Sequence, residues 1–510
     1  MKFKIILFFF LTTSLLCFSQ PDIEWQKSLG GSYVDIAFSI KQTSDGEYII
    51  SGKSISNDGD VSGNHGGEDY WIVKMSESGT ITWQKSLGGS NGEKASSIHQ
   101  TIDGGFIVSG QSYSNDGDVT GNHGDADYWI VKLNTEGEIQ WQKSLGGSDY
   151  DSAYSIEQTT DGGYIISGSS YSNDGDVTGN HGNIDFWIAK LNNTGTLQWQ
   201  KSLGGSSFET ALSIQQTNEG GYIIAGTSNS NDGDVSGNHG DYDFWIVKLN
   251  TVGSLQWEKS LGGSNSDRAS SIQQVSDGGY IVAGESKSSD GDVSENKGDA
   301  DYWIVKLNTT GTIQWEKSLG GSEKDVATSI QQTIDGGYVV TGLSSSNNGD
   351  ISGNHGDSDY WLVKLDVGGN IQWEKSLGGS DFEIAYSVQQ TNNGGYIVAG
   401  STSSTDGDVT ENHGHGDYWI VKLSPDLGIN DNEFNNTTFL YPNPSNRDIT
   451  IEAEGLEAIT IFTSLGKQSY FKEFTGESNA NIDVSYLAKG VYTVVISTNS
   501  RQLVKKLIIK

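Results

Sequence analysis

Three things are scarce in this 510-residue chain, and each scarcity narrows what it can be. There is one cysteine, Cys17, which leaves no disulfide scaffold and no cysteine-based metal or redox chemistry. There are only four prolines, Pro21, Pro425, Pro442 and Pro444, with none in the long stretch between the first two. Such a stretch suits strands whose N–H groups are all needed in ladders. Basic charge is short as well: 31 Lys and Arg against 65 Asp and Glu give a net charge of −34. A surface this acidic repels phosphate backbones and anionic membranes, so no nucleic-acid partner is expected. Cations and basic surfaces are its natural counterparts.

Long apolar runs are missing except at the start. Lys2 and Lys4 precede an apolar core, Ile5 to Leu16, that is too short to span a bilayer. Cys17-Phe18-Ser19 puts small residues at −3 and −1, so residues 1–19 read as a signal peptide cut before Gln20. Lipidation at Cys17 is disfavoured, because Leu16 stands where a small residue is needed. Cleavage there removes the one cysteine and leaves a mature chain expected to have no transmembrane segment.

What is abundant is repetition. Trp-Gln/Glu-Lys-Ser-Leu-Gly-Gly recurs at Trp25, Trp83, Trp141, Trp199, Trp257, Trp315 and Trp373, each step being 58 residues. Asp-Tyr/Phe-Trp supplies the other seven tryptophans, from Trp71 to Trp419. Each unit reads as four short strands joined by tight Asp-Gly or Gly-bearing turns and one long polar loop, an antiparallel meander of the propeller-blade kind. The chain begins with a lone fourth strand at Trp25 and ends its repeats with a third strand at Trp419. The first can therefore complete the last blade, which predicts a closed ring and not an open solenoid. The expected fold is all-β: a seven-bladed β-propeller over residues 20–423, a linker at 424–439, and a small Ig-like β-sandwich at 440–510.

In such a meander the long loop between strands two and three shares one face of the ring with the inter-blade connections. That loop commonly reads Ser-Asn-Asp-Gly-Asp-Val-Ser/Thr-Gly-Asn-His-Gly-x-x-Asp. Its acids are Asp58, Asp60 and Asp69; Asp116, Asp118 and Asp127; Asp174, Asp176 and Asp185; and Asp232, Asp234 and Asp243. The series continues with Asp290, Asp292 and Asp301; Asp350 and Asp359, where Asn348 replaces the first acid; and Asp406, Asp408 and Asp417. Another acid opens strand one of every unit: Asp35, Glu93, Asp151, Glu209, Asp267, Asp325 and Glu383. Carboxylates so crowded repel unless bridged, and Asp-x-Asp on a Gly-bearing loop suits a hard cation such as Ca2+. The competing reading is that Asp and Asn before Gly shape Asx-turns without metal.

The loop histidines His65, His123, His181, His239, His355 and His413 come one to a loop (His415 apart), and Lys297 stands in for the missing one. That pattern favours a hydrogen-bonding role over zinc. The tryptophans sit among Ile, Val and Leu and read as inter-blade packing, not as a sugar platform. Near-identity of the units argues against catalysis. The departures Glu47, His99, Arg268 and Lys297 are few and look chemically unconnected. Arg268 is the only arginine before the C-terminal region, so an arginine cluster of the sialidase kind cannot be built.

The last 70 or so residues alternate apolar and polar positions. Tyr441-Pro442-Asn443-Pro444, Leu465-Gly466-Lys467, Ile482-Asp483-Val484-Ser485 with Leu487, Gly490-Val491-Tyr492 and Lys505-Lys506-Leu507 are similar to the type A C-terminal sorting domain of the type IX secretion system of Bacteroidetes. The repeats resemble the Asp-Gly-Gly propeller units of bacterial surface proteins, a likeness that implies no activity. The first resemblance implies recognition by the type IX machinery, export, and then release or attachment at the outer surface. The resulting expectation is a non-enzymatic secreted or surface-displayed propeller whose acidic loop face binds a glycan, a protein or a cation. A polysaccharide hydrolase or lyase, and a structural adhesin or spacer, are the alternatives.

Overall fold

A computed structural model describes residues 20–426, 439–445, 447–463, 468–498 and 502–510. The expected signal peptide, most of the expected linker and Leu465-Gly466-Lys467 lie outside the described residues. The chain divides into two units, Asp22–Pro425 and a C-terminal one reaching Lys510.

The first unit is the seven-bladed propeller. Its first full blade comprises Asp35–Gln42, Tyr48–Ser54, Asp69–Met75 and Ile81–Leu87, paired in sequence order, and the pattern repeats round the ring. The seventh blade holds Glu383–Gln390, Tyr396–Thr402 and Asp417–Leu423, and its fourth strand is Ile23–Leu29. Ser28 there lies opposite Trp419, and Leu29 opposite Tyr418. The ring thus closes by hydrogen bonds between the two ends of the repeat region, which removes both open edges.

Side-chain chemistry locks the blades together. The strand-three tryptophans, Trp71 to Trp419, have no exposed surface. Each packs against the aromatic ring that precedes the tryptophan of the neighbouring blade, with centroids 4.4–4.6 Å apart. Where that ring is Tyr, its hydroxyl donates to the tryptophan carbonyl, and Tyr418 closing on Trp71 completes the circle at 2.9 Å. The strand-four tryptophans meet the Tyr48-type rings edge-on at 5.5–5.9 Å. All fourteen tryptophans therefore serve packing.

A β-bulge between Ala37 and Ser39 recurs in all seven first strands. Beside it, each serine hydroxyl accepts the N–H of the next blade's first strand, from Ile98 onto Ser39 round to Ile40 onto Ser387, at 3.2–3.4 Å. Glycine is required in strand two, since a Cβ on Gly52 would lie 1.9 Å from the carbonyl oxygen of Ile36.

The strand-three lysines are a feature that the sequence left unread. Lys132, Lys190, Lys306 and Lys364 are almost fully buried, and each ammonium reaches the aspartate of its blade's first hairpin turn: Asp103, Asp161, Asp277 and Asp335. In the seventh blade Asn393 takes the turn position, and Lys422 turns to Glu24 at 3.4 Å.

The C-terminal unit is a single five-stranded sheet. Asp448–Thr463 is long enough to pair with Phe439–Tyr441 at one end, Gly490–Thr498 at the other, and Gln468–Asp483 along its length. Register shifts around Leu456 let this strand curl. Apolar residues from both halves, Ile449 and Ile451 with Ile461, Val494 and Leu507, then share one core. The two layers expected of a sandwich are two halves of one curled sheet.

Candidate functional site

Every long connection of the ring lies on the face where strand one starts and strand two ends. The expected metal ligands do lie in these loops, where most of their carboxylates accept hydrogen bonds from the chain. Asp58 Oδ1 accepts the Ser32 N–H at 2.8 Å, and the same bond recurs from Asp116, Asp174, Asp232, Asp290, Asn348 and Asp406 to the serine 26 residues earlier. These N–H groups hold Asp58, Asp116, Asp174, Asp232 and Asp290 below the usual carboxylate range. Asp60 Oδ2 faces the Gly30 N–H at 3.3 Å, as do Asp118, Asp234, Asp292, Asp350 and Asp408 in their blades. Asp176 keeps the matching backbone bond, its N–H donating to the Gly146 carbonyl. The Asp-x-Asp pair thus clamps the connection entering its own blade.

Asp69 and its counterparts Asp127, Asp185, Asp243, Asp301, Asp359 and Asp417 are fully buried. In six of them Oδ2 accepts the histidine N–H and also contacts the histidine Nδ1 at 2.6–2.7 Å. His65 Nε2 also faces Asp118 of the next blade at 3.9 Å. Lys297 makes the equivalent bridge, from Asp301 through its N–H to Asp350 through its ammonium. Each of these histidines is thus held within its own loop, and His65 also reaches towards the next blade, a contact that Lys297 reproduces as an ion pair.

The strand-one acids are buried too, and each approaches the Asp69-type residue of the preceding blade. A Cβ on Gly30 would sit 2.6 Å from Asp35 Oδ2 and 2.7 Å from Asp417 Oδ1, so Leu-Gly-Gly carries glycine because two carboxylates flank its Cα. Burial pushes Asp151, Asp301 and Asp359 up to about 6. Among the described residues no three His, Cys, Asp or Glu side chains converge in a metal-holding group.

The exposed chemistry of this face lies where the repeats differ. Tyr113, Tyr150 and Tyr171 form a surface aromatic cluster over the second and third blades, with centroids 6.2 and 6.1 Å apart. Tyr113 and Tyr171 are 42% and 43% exposed. The Tyr150 hydroxyl donates to Gln111 Oε1 at 2.6 Å, which fixes the middle ring. Phe208, at the entry to the fourth blade, is also exposed. Across the fourth to sixth blades, Arg268, Lys287 and Lys324 line a cleft of about 510 Å³ together with Asp241, Glu285 and Asp299. The Arg268 guanidinium lies 4.7 Å from the centre of the Tyr242 ring.

Two departures that looked unconnected in sequence are thus parts of local groups. Arg268 joins two lysines, and Lys297 fills the histidine role. No sequence motif marked the tyrosine cluster. Its only signal is that Tyr113 and Tyr171 occupy one repeat position in adjacent blades, where other copies carry Ile55, Asn229, Lys287 and serine.

Residues 439–510 match the family described as the secretion system C-terminal sorting domain. The C-terminal unit is such a sorting domain, of the type IX kind, and it points to export. Among curated proteins, the regulatory protein FlaEY of Caulobacter vibrioides is 28% identical over 222 residues. That match covers 40% of this chain and only 23% of FlaEY. Among solved structures, the extracellular domain of the putative one component system BT4673 from B. thetaiotaomicron aligns at 12% identity and a TM-score of 0.41. It covers 94% of this chain, which spans 57% of that one. A puromycin hydrolase aligns at 10% identity and a TM-score of 0.45, over 91% of this chain and 59% of the other.

Proposed function

We propose that this is an exported, non-enzymatic binding protein that takes an extracellular carbohydrate on the loop face of its propeller and works outside the cell, released or held at the outer surface. The observation that carries the reading is the Tyr113–Tyr150–Tyr171 cluster. Exposed, pre-positioned tyrosine rings offer apolar faces to sugar C–H groups and hydroxyls to sugar oxygens at little entropic cost. They stand on a rigid ring, so the geometry is preorganised. The cleft at Arg268, Lys287 and Lys324 adds donors for sugar hydroxyls or carboxylates on the same face.

Screening the purified chain against plant, algal and host glycans tests this, with Tyr113→Ala and Tyr171→Ala as variants. Each truncation of a stacking ring should weaken binding by about 1–2 kcal/mol, roughly 5- to 30-fold. Unchanged affinity in both variants would remove the tyrosines from the account. Release of sugar products with turnover would replace binding by catalysis.

A further inference from the structure

The inner strands line a second cavity, of about 180 Å³, bounded by residues near the hairpin-turn end of strand one and so on the side of the ring away from the loop face. One repeat position dominates its chemistry. Gln215, Gln273, Gln331 and Gln389 occupy it in four consecutive blades. Each has its Oε1 engaged: it accepts the N–H of the next blade's first strand at 2.6–2.7 Å. An amide whose oxygen is held in that way has its NH2 left to donate. The other three blades carry Lys41, His99 and Glu157 at this position. Glu157 keeps the relay, accepting the Gln216 N–H at 2.6 Å. Lys41 has no acceptor to offer and adds an ammonium, which burial pulls below the ordinary lysine range against the opposing charge of Glu157. The lumen of a strongly acidic protein thus carries amide and ammonium donors beside a single carboxylate, Glu157.

We propose that this lumen is a binding site for a small monovalent anion, a halide or a carboxylate group, held by the Lys41 ammonium and the amide NH2 groups of Gln215, Gln273 and Gln331. The cavity has room for a small ion with some of its water, and it lies at the opposite end of strand one from the loop face, so the site is separate from that face. Three titratable groups stand side by side on its wall, in consecutive blades: Lys41, His99 and Glu157. Burial, with the Lys41 charge beside it, pulls His99 down to about 3, so it is neutral at working pH. Burial pushes Glu157 up to about 7, outweighing the Gln216 N–H and Lys41. Below pH 7 its carboxyl takes a proton and ceases to repel an anion.

Chloride-35 NMR line broadening on the full chain, at constant ionic strength and with acetate as competitor, tests the site. Lys41→Gln restores the residue found in four other blades, so the fold is not put at risk. It should cut the excess broadening about tenfold, the value of one charge-assisted contact. Broadening by the unaltered chain should strengthen from pH 8 to pH 6, and Glu157→Gln should abolish that dependence. Broadening that survives Lys41→Gln at full strength, or that is never seen in the unaltered chain, overturns the proposal.

Discussion

The buried lysines of strand three allow a charge argument to be tested with built-in amplification. Take Asp161 and Lys190, whose side chains are 58% and 3% exposed and 3.0 Å apart. Burial of the Asp161 carboxyl is outweighed by the Thr159 hydroxyl, the Gly163 N–H and Lys190, which bring it down to about 2. Against an unfolded value of 3.8, that is at most about 2.4 kcal/mol above pH 5, and solvent screening of so exposed a group reduces it to about 1 kcal/mol. Asn can keep the turn, as Asn393 does by accepting from Thr391 and Gly395. Asp161→Asn therefore removes charge and little else. In a ring of this size, unfolding entropy is about 0.8 kcal/mol/K, so one substitution lowers Tm by only about 1 °C.

The repeats multiply the effect. Asp103, Asp161, Asp277 and Asp335, all changed to Asn, lie in separate blades, and their costs should add to a fall of about 5 °C. The matching set Lys132, Lys190, Lys306 and Lys364→Met should cost less than half as much. It leaves aspartates that water can solvate, whereas the first set leaves ammonium groups buried without a counter-charge. Differential scanning calorimetry at pH 7 reads both. At acid pH the aspartate set should converge on the parent, because a depressed carboxyl contributes above 3.8 and ceases to as pH falls towards 2. A lysine set that is the more damaging of the two would refute the reasoning.

Two further outcomes follow from the loop face. Asp151, Asp301 and Asp359 hold their protons up to about 6. The hydrogen bond and charge of Asp417 raise His413 above its ordinary 6.5, against the pull of burial. Groups raised on folding stabilise below their unfolded values and lose that contribution as pH rises through the folded ones. Tm should therefore be higher near pH 4 than at pH 8; a peak at pH 8 would contradict these burials. For calcium, the Asp58-type carboxylates already accept N–H groups, six Asp69-type carboxylates contact a histidine, and Lys297 bridges Asp301 to Asp350. EDTA should leave the Tm within about 2 °C of its value in 5 mM calcium, whereas seven occupied sites would raise it by far more.

The fold was legible because each element repeats with its boundary signals. Asp-Gly turns, Tyr and Trp runs and the lone strand at Trp25 determine strand order and closure without any long-range knowledge. The loop carboxylates were legible as to place but not as to partner. Their partners are backbone N–H groups of an inter-blade connection, 26 and 30 residues away, and a backbone N–H leaves no trace in a residue pattern. Asp-x-Asp reads as ligation or as turn-making with equal ease until that donor is seen. The Lys–Asp bridges were missed for a related reason. Lysine in an apolar strand reads as a solvated end, and its aspartate had already been assigned to the hairpin turn.

The departures from the repeat were harder to read, although the information was present. Lys41, His99 and Glu157 are separated by 58 residues each, so they are one position of three consecutive blades and must meet around the axis. Judged one by one against a consensus they look like noise. Laid on the ring, they turn one side of an otherwise amide-lined channel into a charged one. Ser39, Ile40 and Gln42 beside Lys41 barely vary between copies, because they carry the inter-blade hydrogen bonds or fill the core. The neighbouring position 41 is spared that constraint in part, since only its acceptor atom is used and even that is dispensable at Lys41. In a repeat protein, then, divergence is most informative where it adjoins positions that cannot diverge. Tests of this propeller's chemistry are therefore best aimed first at the channel position of Lys41 and at Tyr113 and Arg268 on the loop face, where the repeats differ.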